Sequence, residues 1–308
     1  MTPPKCTICK AKKTYFPVQV VLPSYNLKLC REHFLEWLEG RVAHTIKKYR
    51  MFTCEDKILV AVSGGKDSLG LWFLLHRLGY EADGLYIDLG IPEYSAESRE
   101  HAQTLANRLG RTLHVVDMRE ELAPIGEMRN WTRKPPCSVC GTVKRYYMNR
   151  IAREKGYTVL ATGHNLDDET AVLWNNTLHW NMEYLAKQYP VLAAQGPFLK
   201  KVKPLCLVSE KESALYTIFN RISYVKPECP YSTHASSLEN KRFLQQLEEA
   251  RPGTKITFYT GFLKNLSPLL HEPLKSTGVS LALCKVCGEP TTTEICFLCQ
   301  LKQKMGKI

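Results

Sequence analysis

No run in this sequence is apolar for long enough to cross a membrane. The most apolar window, Leu69 to Leu75, is ended by His76 and Arg77, far short of the ~20 residues a span needs. The opening MTPPKCTICK lacks the basic start and apolar core of a secretory signal. Low-complexity runs are missing, and nothing repeats except a pair of cysteine-rich modules at the two ends. The expectation is a cytoplasmic globular protein with no membrane partner. Acidic residues are scarce relative to basic ones: 30 Asp and Glu stand against 42 Lys and Arg, a formal net charge of +12. That surplus favours a polyanionic partner such as nucleic acid, although a merely soluble basic surface would carry the same charge.

Cysteine, by contrast, is abundant. In a reducing compartment twelve cysteines read as metal ligands or redox groups rather than disulfides. Cys6, Cys9 and Cys30 open the chain with His33 close behind, Cys137 and Cys140 lie in the middle, and Cys284, Cys287, Cys296 and Cys299 close it. Cys54, Cys206 and Cys229 are isolated, and the apolar neighbours of the first two predict ordinary buried thiols. This distribution divides the chain into an N-terminal metal module with a linker helix (1–50), a core domain (51–270) and a C-terminal metal module (271–308).

Phe34, Leu38, Val42 and Ile46, four apart, make one face of the linker helix. In the core, strand-like runs alternate with helical stretches. KILVAV (57–62) precedes a helix over Asp67 to Leu78 that Gly79 ends, and ADGLYIDLG precedes one over Ser95 to Leu109 that Gly110 ends. TLHVVDM is followed by a loop and a helix over Thr142 to Lys155 stopped by Gly156; YTVLATG leads into a helix over Asp167 to Leu178. Such alternation predicts an α/β fold with a doubly wound parallel sheet. Residues 181–206 are less periodic, and 238–250 predict a further helix ended by Pro252-Gly253.

The first strand runs into SGGKDS, Ser63 to Ser68. It is not the GxxxxGK[ST] phosphate loop, yet it sits where an open parallel sheet holds ligands, at a strand's carboxyl end before a helix. Gly64 and Gly65 permit close approach of an anion, backbone N–H groups can cradle phosphate, and Ser63, Ser68 and Lys66 add donors and charge. Asp67 would repel phosphate unless it binds Mg2+ or caps the helix. A plain strand-to-helix turn is the simpler reading of two glycines, but it does not account for all six residues. SGGKDS resembles the signature of the PP-loop ATP pyrophosphatases, which cleave ATP between the α and β phosphates; the resemblance implies an adenylylated acceptor as product. A second strand end, ATGHNLDDETAVL (161–173), offers Gly163 for backbone approach of a nucleotide, and Asp167 and Asp168 at a helix start, where capping is the simpler role.

Cys6-x2-Cys9 with Cys30-x2-His33, and Cys284-x2-Cys287 with Cys296-x2-Cys299, have the spacing of tetrahedral structural zinc sites. Neither end has enough apolar residues to fold without metal. Cys137-x2-Cys140 has no neighbouring pair. It reads either as a redox dithiol or as two ligands of a cluster whose third is Cys229, in ECPYS, since Cys-Pro is a common iron–sulfur setting. Three thiolates on a four-iron cluster would leave one iron open to a sulfur atom. Around this pair lie Arg129, Arg133, Lys134, Lys144, Arg145, Arg150, Arg153 and Lys155, with Trp131, Tyr146 and Tyr147 interleaved, a pattern suited to phosphates and stacked bases.

In this order, CxxC…CxxH, SGGKDS, CxxCG with a basic helix, ATGHNLDDE, ECP and CxxC…CxxC, the motifs cover nearly the whole chain and resemble the TtuA-type tRNA 2-thiouridine synthetases of the wider TtcA/TtuA group. The resemblance implies that ATP binds along Ala61, Val62 and Ser63 to Ser68, with the adenine near Ile87 and Gly163. It implies a 4Fe–4S cluster on Cys137, Cys140 and Cys229, catalytic roles near the nucleotide for Lys144, Asp168 and Asp67, Mg2+, and zinc in both terminal quartets. The implied substrate is the T-loop uridine of tRNA, giving 5-methyl-2-thiouridine. The implied sulfur donor is a ubiquitin-like protein with a C-terminal thiocarboxylate, and a homodimer is implied by resemblance only. A wobble-uridine thiolase of the same group, a persulfide mechanism on the dithiol, and a non-catalytic zinc-rich RNA-binding module are the alternatives.

Overall fold

The computed structural model describes residues 5–11, 16–231, 236–271 and 282–308. Six strands form the main sheet: β1 (Ile58–Val62), β2 (Ala82–Asp88), β3 (Leu113–Asp117), β4 (Val159–Thr162), β5 (Val191–Leu192) and β6 (Lys200–Val202). Their spatial order is β3-β2-β1-β4-β6-β5, and every pairing is parallel except β5 with β6. Successive side chains of a strand point to opposite faces, so one core takes Val60, Tyr86 and Ala161 and the other takes Leu59, Leu85 and Leu160. Burial on both faces is why these strands read as continuous apolar runs.

The first face is covered by α1 (Arg31–Lys48), α2 (Lys66–Arg77), α3 (Tyr94–Leu109) and part of α5 (Leu166–Leu178); the second is covered by α4 (Pro136–Glu154). The apolar stripe of α1, Phe34, Leu38, Val42 and Ile46, is buried in the first core. The winding reverses between β1 and β4, so their carboxyl ends border the crevice where such sheets take ligands. After the sheet come α6 (Glu210–Phe219), α7 (Ser236–Ala250) and α8 (Thr254–Gly261).

The terminal modules lie on opposite faces. Cys6, Cys9, Cys30 and the hairpin Val20–Leu22/Leu27–Leu29 join the first core, whereas Cys284, Cys296 and Cys299 join the second with Leu298 and Leu301. An Arg153–Glu289 ion pair also ties α4 to the C-terminal module. Residues 272–281, where the sequence places the start of that module, lie outside the described residues.

Four expectations need correction. The helix expected from Thr142 begins at Pro136, because a proline at the first helical position already has a helical φ and gives up an N–H that would lack a partner. Cys137 and Cys140 therefore sit on the helix rather than in a loop. The weakly periodic 181–206 holds a short helix (Met182–Lys187) and the edge strands β5 and β6; two- and three-residue strands, one of them lysine-rich, are too short for periodicity to reveal. Cys206 is buried as expected, but Cys54 is exposed in the turn before β1. Tyr147 is buried with its hydroxyl donating to Glu121 (2.8 Å), so it cannot stack on a base.

Candidate active site

At the end of β1, Ser63 to Gly65 turn the chain into α2. Gly64 has φ +81°, and a Cβ there would lie 2.6 Å from that of Ser98, so both backbone and space require glycine. Gly65 caps α2 without a side-chain hydrogen bond, which leaves the first N–H groups of the helix facing the crevice, an arrangement suited to an anion. Ser68 Oγ accepts from Ser63 N (3.0 Å), lies 3.1 Å from Ser63 Oγ and donates to Gly65 O (3.1 Å), holding the loop closed. The loop after β4 packs directly against it. A Cβ on Gly163 would come within 2.9 Å of backbone atoms of Asp67 and Ser68. Contact between the two loops therefore requires a glycine here. Val62 is buried on the first face; Ala61 and Ile87 lie on the second, the face of α4.

Charged groups gather at the start of α2. Lys66 Nζ donates to Asp67 Oδ2 (3.1 Å) and to Glu210 Oε1 (2.8 Å). Lys241 Nζ, from α7, reaches Asp168 Oδ1 (2.6 Å) and Glu210 Oε2 (3.3 Å). Asp168 also completes a capping box with Asn165: its Oδ2 accepts from Asn165 N (3.0 Å), and its own N donates to Asn165 Oδ1 (3.0 Å). Asp167 accepts from Lys255 Nζ (2.5 Å) and Glu210 N (2.8 Å), so it anchors α6 and α8. Burial raises the Asp67 carboxyl pKa against the pull of Lys66, and its Oδ1 is buried without a hydrogen-bond partner.

The cysteines come together at the other side of the loop. Cys137 Sγ donates to Tyr231 O (2.9 Å). The Cys140 thiol pKa is raised, first by burial and then by Cys229 and Cys137, while the Lys144 ammonium one turn along α4 opposes this. Cys229 and Cys140 both lie near Tyr94 at the start of α3. The segment carrying Cys229 is fastened at both ends: Val225 N donates to Gly64 O of the phosphate loop (3.0 Å), and Tyr231 O receives Cys137.

The terminal quartets are tighter. In each, the four ligand atoms lie within 4.8 Å of one another, and among the described residues only these two sets of His, Cys, Asp or Glu do so. Cys9 and Cys30 are 3.9 Å apart, Cys287 and Cys296 3.7 Å, and His33 Nδ1 lies 3.3 Å from both Cys9 and Cys30. A tetrahedral ion with metal–sulfur bonds of about 2.3 Å separates its thiolates by about 3.8 Å, which matches these edges. Burial opposes it, but backbone N–H groups hold the Cys6 and Cys284 thiols down to about 6. The Cys137, Cys140, Cys229 set is not closed to single-ion size; a four-iron cube keeps its thiolates farther apart than one ion does.

A profile of the PP-loop domain matches residues 36–179. The tRNA-5-methyluridine(54) 2-sulfurtransferase of Pyrococcus horikoshii is 44% identical over 96% of this chain and 93% of its own. That of Thermotoga maritima is 44% identical over 98% and 97%, and that of Thermus thermophilus 42% over 96% and 90%. The chain belongs to the TtuA-type tRNA 2-thiouridine synthetases. A solved structure, the U34-tRNA thiolase NcsA from Methanococcus maripaludis with its 4Fe–4S cluster, superposes with a TM-score of 0.78 at 25% identity, covering 99% of this chain and 97% of that one. Arg129, Arg133, Arg145 and Lys155 are exposed, whereas Arg153 is paired with Glu289 and Lys134 lies 4.4 Å over the ring of Phe297. Tyr146 turns its hydroxyl to Cys287, and Trp131 packs on the second core, so these aromatics serve packing first.

Sequence reading missed Val225, Glu210, Lys241 and Tyr231. Only Glu210 had a local signal, the Ser209-x-x-Glu212 capping box that opens α6 beside it. No helix among the described residues is long and apolar enough to cross a membrane.

Proposed function

We propose that this enzyme binds ATP at Ser63 to Ser68, adenylylates the 2-oxygen of a tRNA uridine and replaces that oxygen with sulfur, with Cys137, Cys140 and Cys229 as the residues that would hold a 4Fe–4S cluster. The uridine is the T-loop 5-methyluridine that the relatives' name specifies. One observation carries the reading. A single short segment bonds the phosphate loop through Val225 and Cys137 through Tyr231, with Cys229 between them. Cys229 lies four residues from Val225, whose N–H donates to Gly64 O (3.0 Å), so even a fully extended chain keeps the Cys229 backbone within about 17 Å of Gly64 O. Nucleotide chemistry and sulfur chemistry then share one crevice.

In the first step the uridine 2-oxygen attacks the α-phosphorus and pyrophosphate leaves. The N–H groups of α2 and Lys66 offset the charge growing on pyrophosphate, and Asp67 at the start of α2 is the carboxylate that would hold Mg2+. Lys144 stabilises the transferring phosphoryl group from its place beside Cys140. Asp168 takes a proton or holds metal only after Lys241 releases it, since both its oxygens are engaged. In the second step sulfur attacks C2 and AMP leaves. Cys137, Cys140 and Cys229 would hold a four-iron cluster, which when bound would supply an open position for sulfur. The nearness of a third cysteine, Cys229, to Cys140 favours a cluster over a persulfide on the pair alone. Water cleaves the acyl–sulfur bond of a ubiquitin-like carrier's thiocarboxylate, which releases sulfide and leaves a carboxylate on the carrier; the quartets hold structural zinc, and the enzyme works in the cytoplasm as a homodimer.

After oxygen-free purification, Cys229→Ala should lose iron, sulfide and thiolation while keeping ATP binding. Thiolation by Cys229→Ala at the full rate would sink the three-cysteine site. The likeness to NcsA supports wobble uridine as the second reading; mapping the thiolated nucleoside in a deletion strain decides between them.

A further inference from the structure

The charge around the phosphate loop opposes its expected ligand. Two ammonium groups, Lys66 and Lys241, face three carboxylates, Asp67, Asp168 and Glu210. A polyphosphate meets a net negative set there unless one carboxylate lets go. Asp67 is buried at the helix start, and Asp168 is tied to the capping box of α5. Glu210 differs from both. Its two oxygens meet the two lysines, one each, at 2.8 and 3.3 Å. Its side chain is 40% exposed and borders a cleft of about 820 Å³ between the hairpin Val20–Leu22/Leu27–Leu29, α6 and α7. Its backbone is secured separately, by Glu210 N on Asp167 and by the Ser209–Glu212 capping box, so the side chain can swing away without unwinding α6.

We propose that Glu210 is an internal counter-ion of the phosphate site: it bridges Lys66 and Lys241 while the site is empty and yields both to the pyrophosphate moiety of ATP. The proposal rests on the ATP reading above. Burial works against charge on all three groups, yet Asp67 and then Glu210 raise the Lys66 pKa, Asp168 and then Glu210 raise that of Lys241, and the two lysines lower that of Glu210, so the displaced carboxylate leaves two charged ammonium groups. On binding, phosphate oxygens replace carboxylate oxygens on the same two Nζ atoms. The cost of releasing Glu210 is subtracted from phosphate affinity, and the bridge keeps Lys241 beside Asp168 until nucleotide arrives.

The test is calorimetric titration of the full-length enzyme with Mg2+-pyrophosphate and, separately, with Mg2+-ATP, at low and high salt. Glu210→Gln should bind pyrophosphate about two- to fivefold more tightly than wild type, the worth of one partly exposed ion pair. The gain should shrink at high salt. Glu210→Ala carries the same expectation, so a folding defect in one variant leaves the other to decide. Unchanged or weaker binding by a folded Glu210 variant, with wild type binding normally, overturns the counter-ion and makes Glu210 a structural support of Lys66. Failure of wild type to bind either ligand overturns the phosphate site itself and this proposal with it.

Discussion

Two glycines set how closely the site's loops approach. Gly64 was legible in the sequence, because SGGKDS after a buried strand demands a turn that only glycine makes. Gly163 was legible as a glycine at a strand end, but its contact with the backbone of Asp67 and Ser68, nearly a hundred residues earlier, was not. Backbone cannot give way as a flexible side chain can. Gly163→Ala should therefore cost about 1–3 kcal/mol in urea unfolding and weaken ATP binding with it. Gly40 is the contrast. It lies inside α1, where an added Cβ would meet nothing within 4 Å. Gly40→Ala should stabilise by about 0.5–1 kcal/mol and leave ATP binding unchanged, as the same unfolding and titration measurements would show.

Helix starts do much of the work of assembling this site. Two capping boxes stand side by side, Asn165–Asp168 on α5 and Ser209–Glu212 on α6. Each cap should be worth about 1 kcal/mol in unfolding experiments. Ser209→Ala should lose that stability and no more, whereas Asn165→Ala should also slow thiolation, because the Asp168 N–H loses the Asn165 Oδ1 that fixes the first turn of α5, even though Asn165 N still donates to the Asp168 carboxylate. A second junction depends on pH. Glu248 of α7 accepts from Ser24 Oγ (2.6 Å), Gly253 N (2.7 Å) and Lys255 N (2.8 Å), joining the N-terminal module to the start of α8. Burial opposes it, but these donors hold the Glu248 carboxyl below its ordinary 4.5. A carboxylate with a depressed folded pKa stabilises above its unfolded pKa, and that stability is lost as pH falls through the folded value. The melting temperature of wild type should therefore exceed that of Glu248→Gln at pH 7, and the gap should close as pH drops below 4.5. A gap constant across that range would deny Glu248 this role. The helix α4 shows what local reading misses: Pro135-Pro136 and Gly141 looked like loop, yet Pro136 begins the helix and sets the cysteine pair on it.

Across the whole molecule, the cysteine quartets close opposite faces of one sheet. Substituting Cys30 and Cys299 by alanine should each remove one metal equivalent, read by metal analysis, and each should lower stability by on the order of several kcal/mol. The two should differ in a second readout. Val139, Val143 and Tyr147 of α4 share a core with Cys284, Leu298 and Leu301, so Cys299→Ala should also reduce the iron retained at Cys137 and Cys140. Cys30→Ala, whose module packs on the other face, should leave that iron in place. Equal iron loss in both variants would show that the faces are not independent supports.

Short-range spacing was enough to specify the alternating strands and helices, the phosphate loop and both quartets, because each is built from motifs whose residues lie within a turn or a few turns of one another. Folding alone decided that Val225 to Tyr231 ties the phosphate loop to the cysteine pair, and that Glu210 meets Lys66 across 144 residues. Periodicity shows which face of an element is apolar; which loops then meet depends on how the layers stack and where the winding turns back.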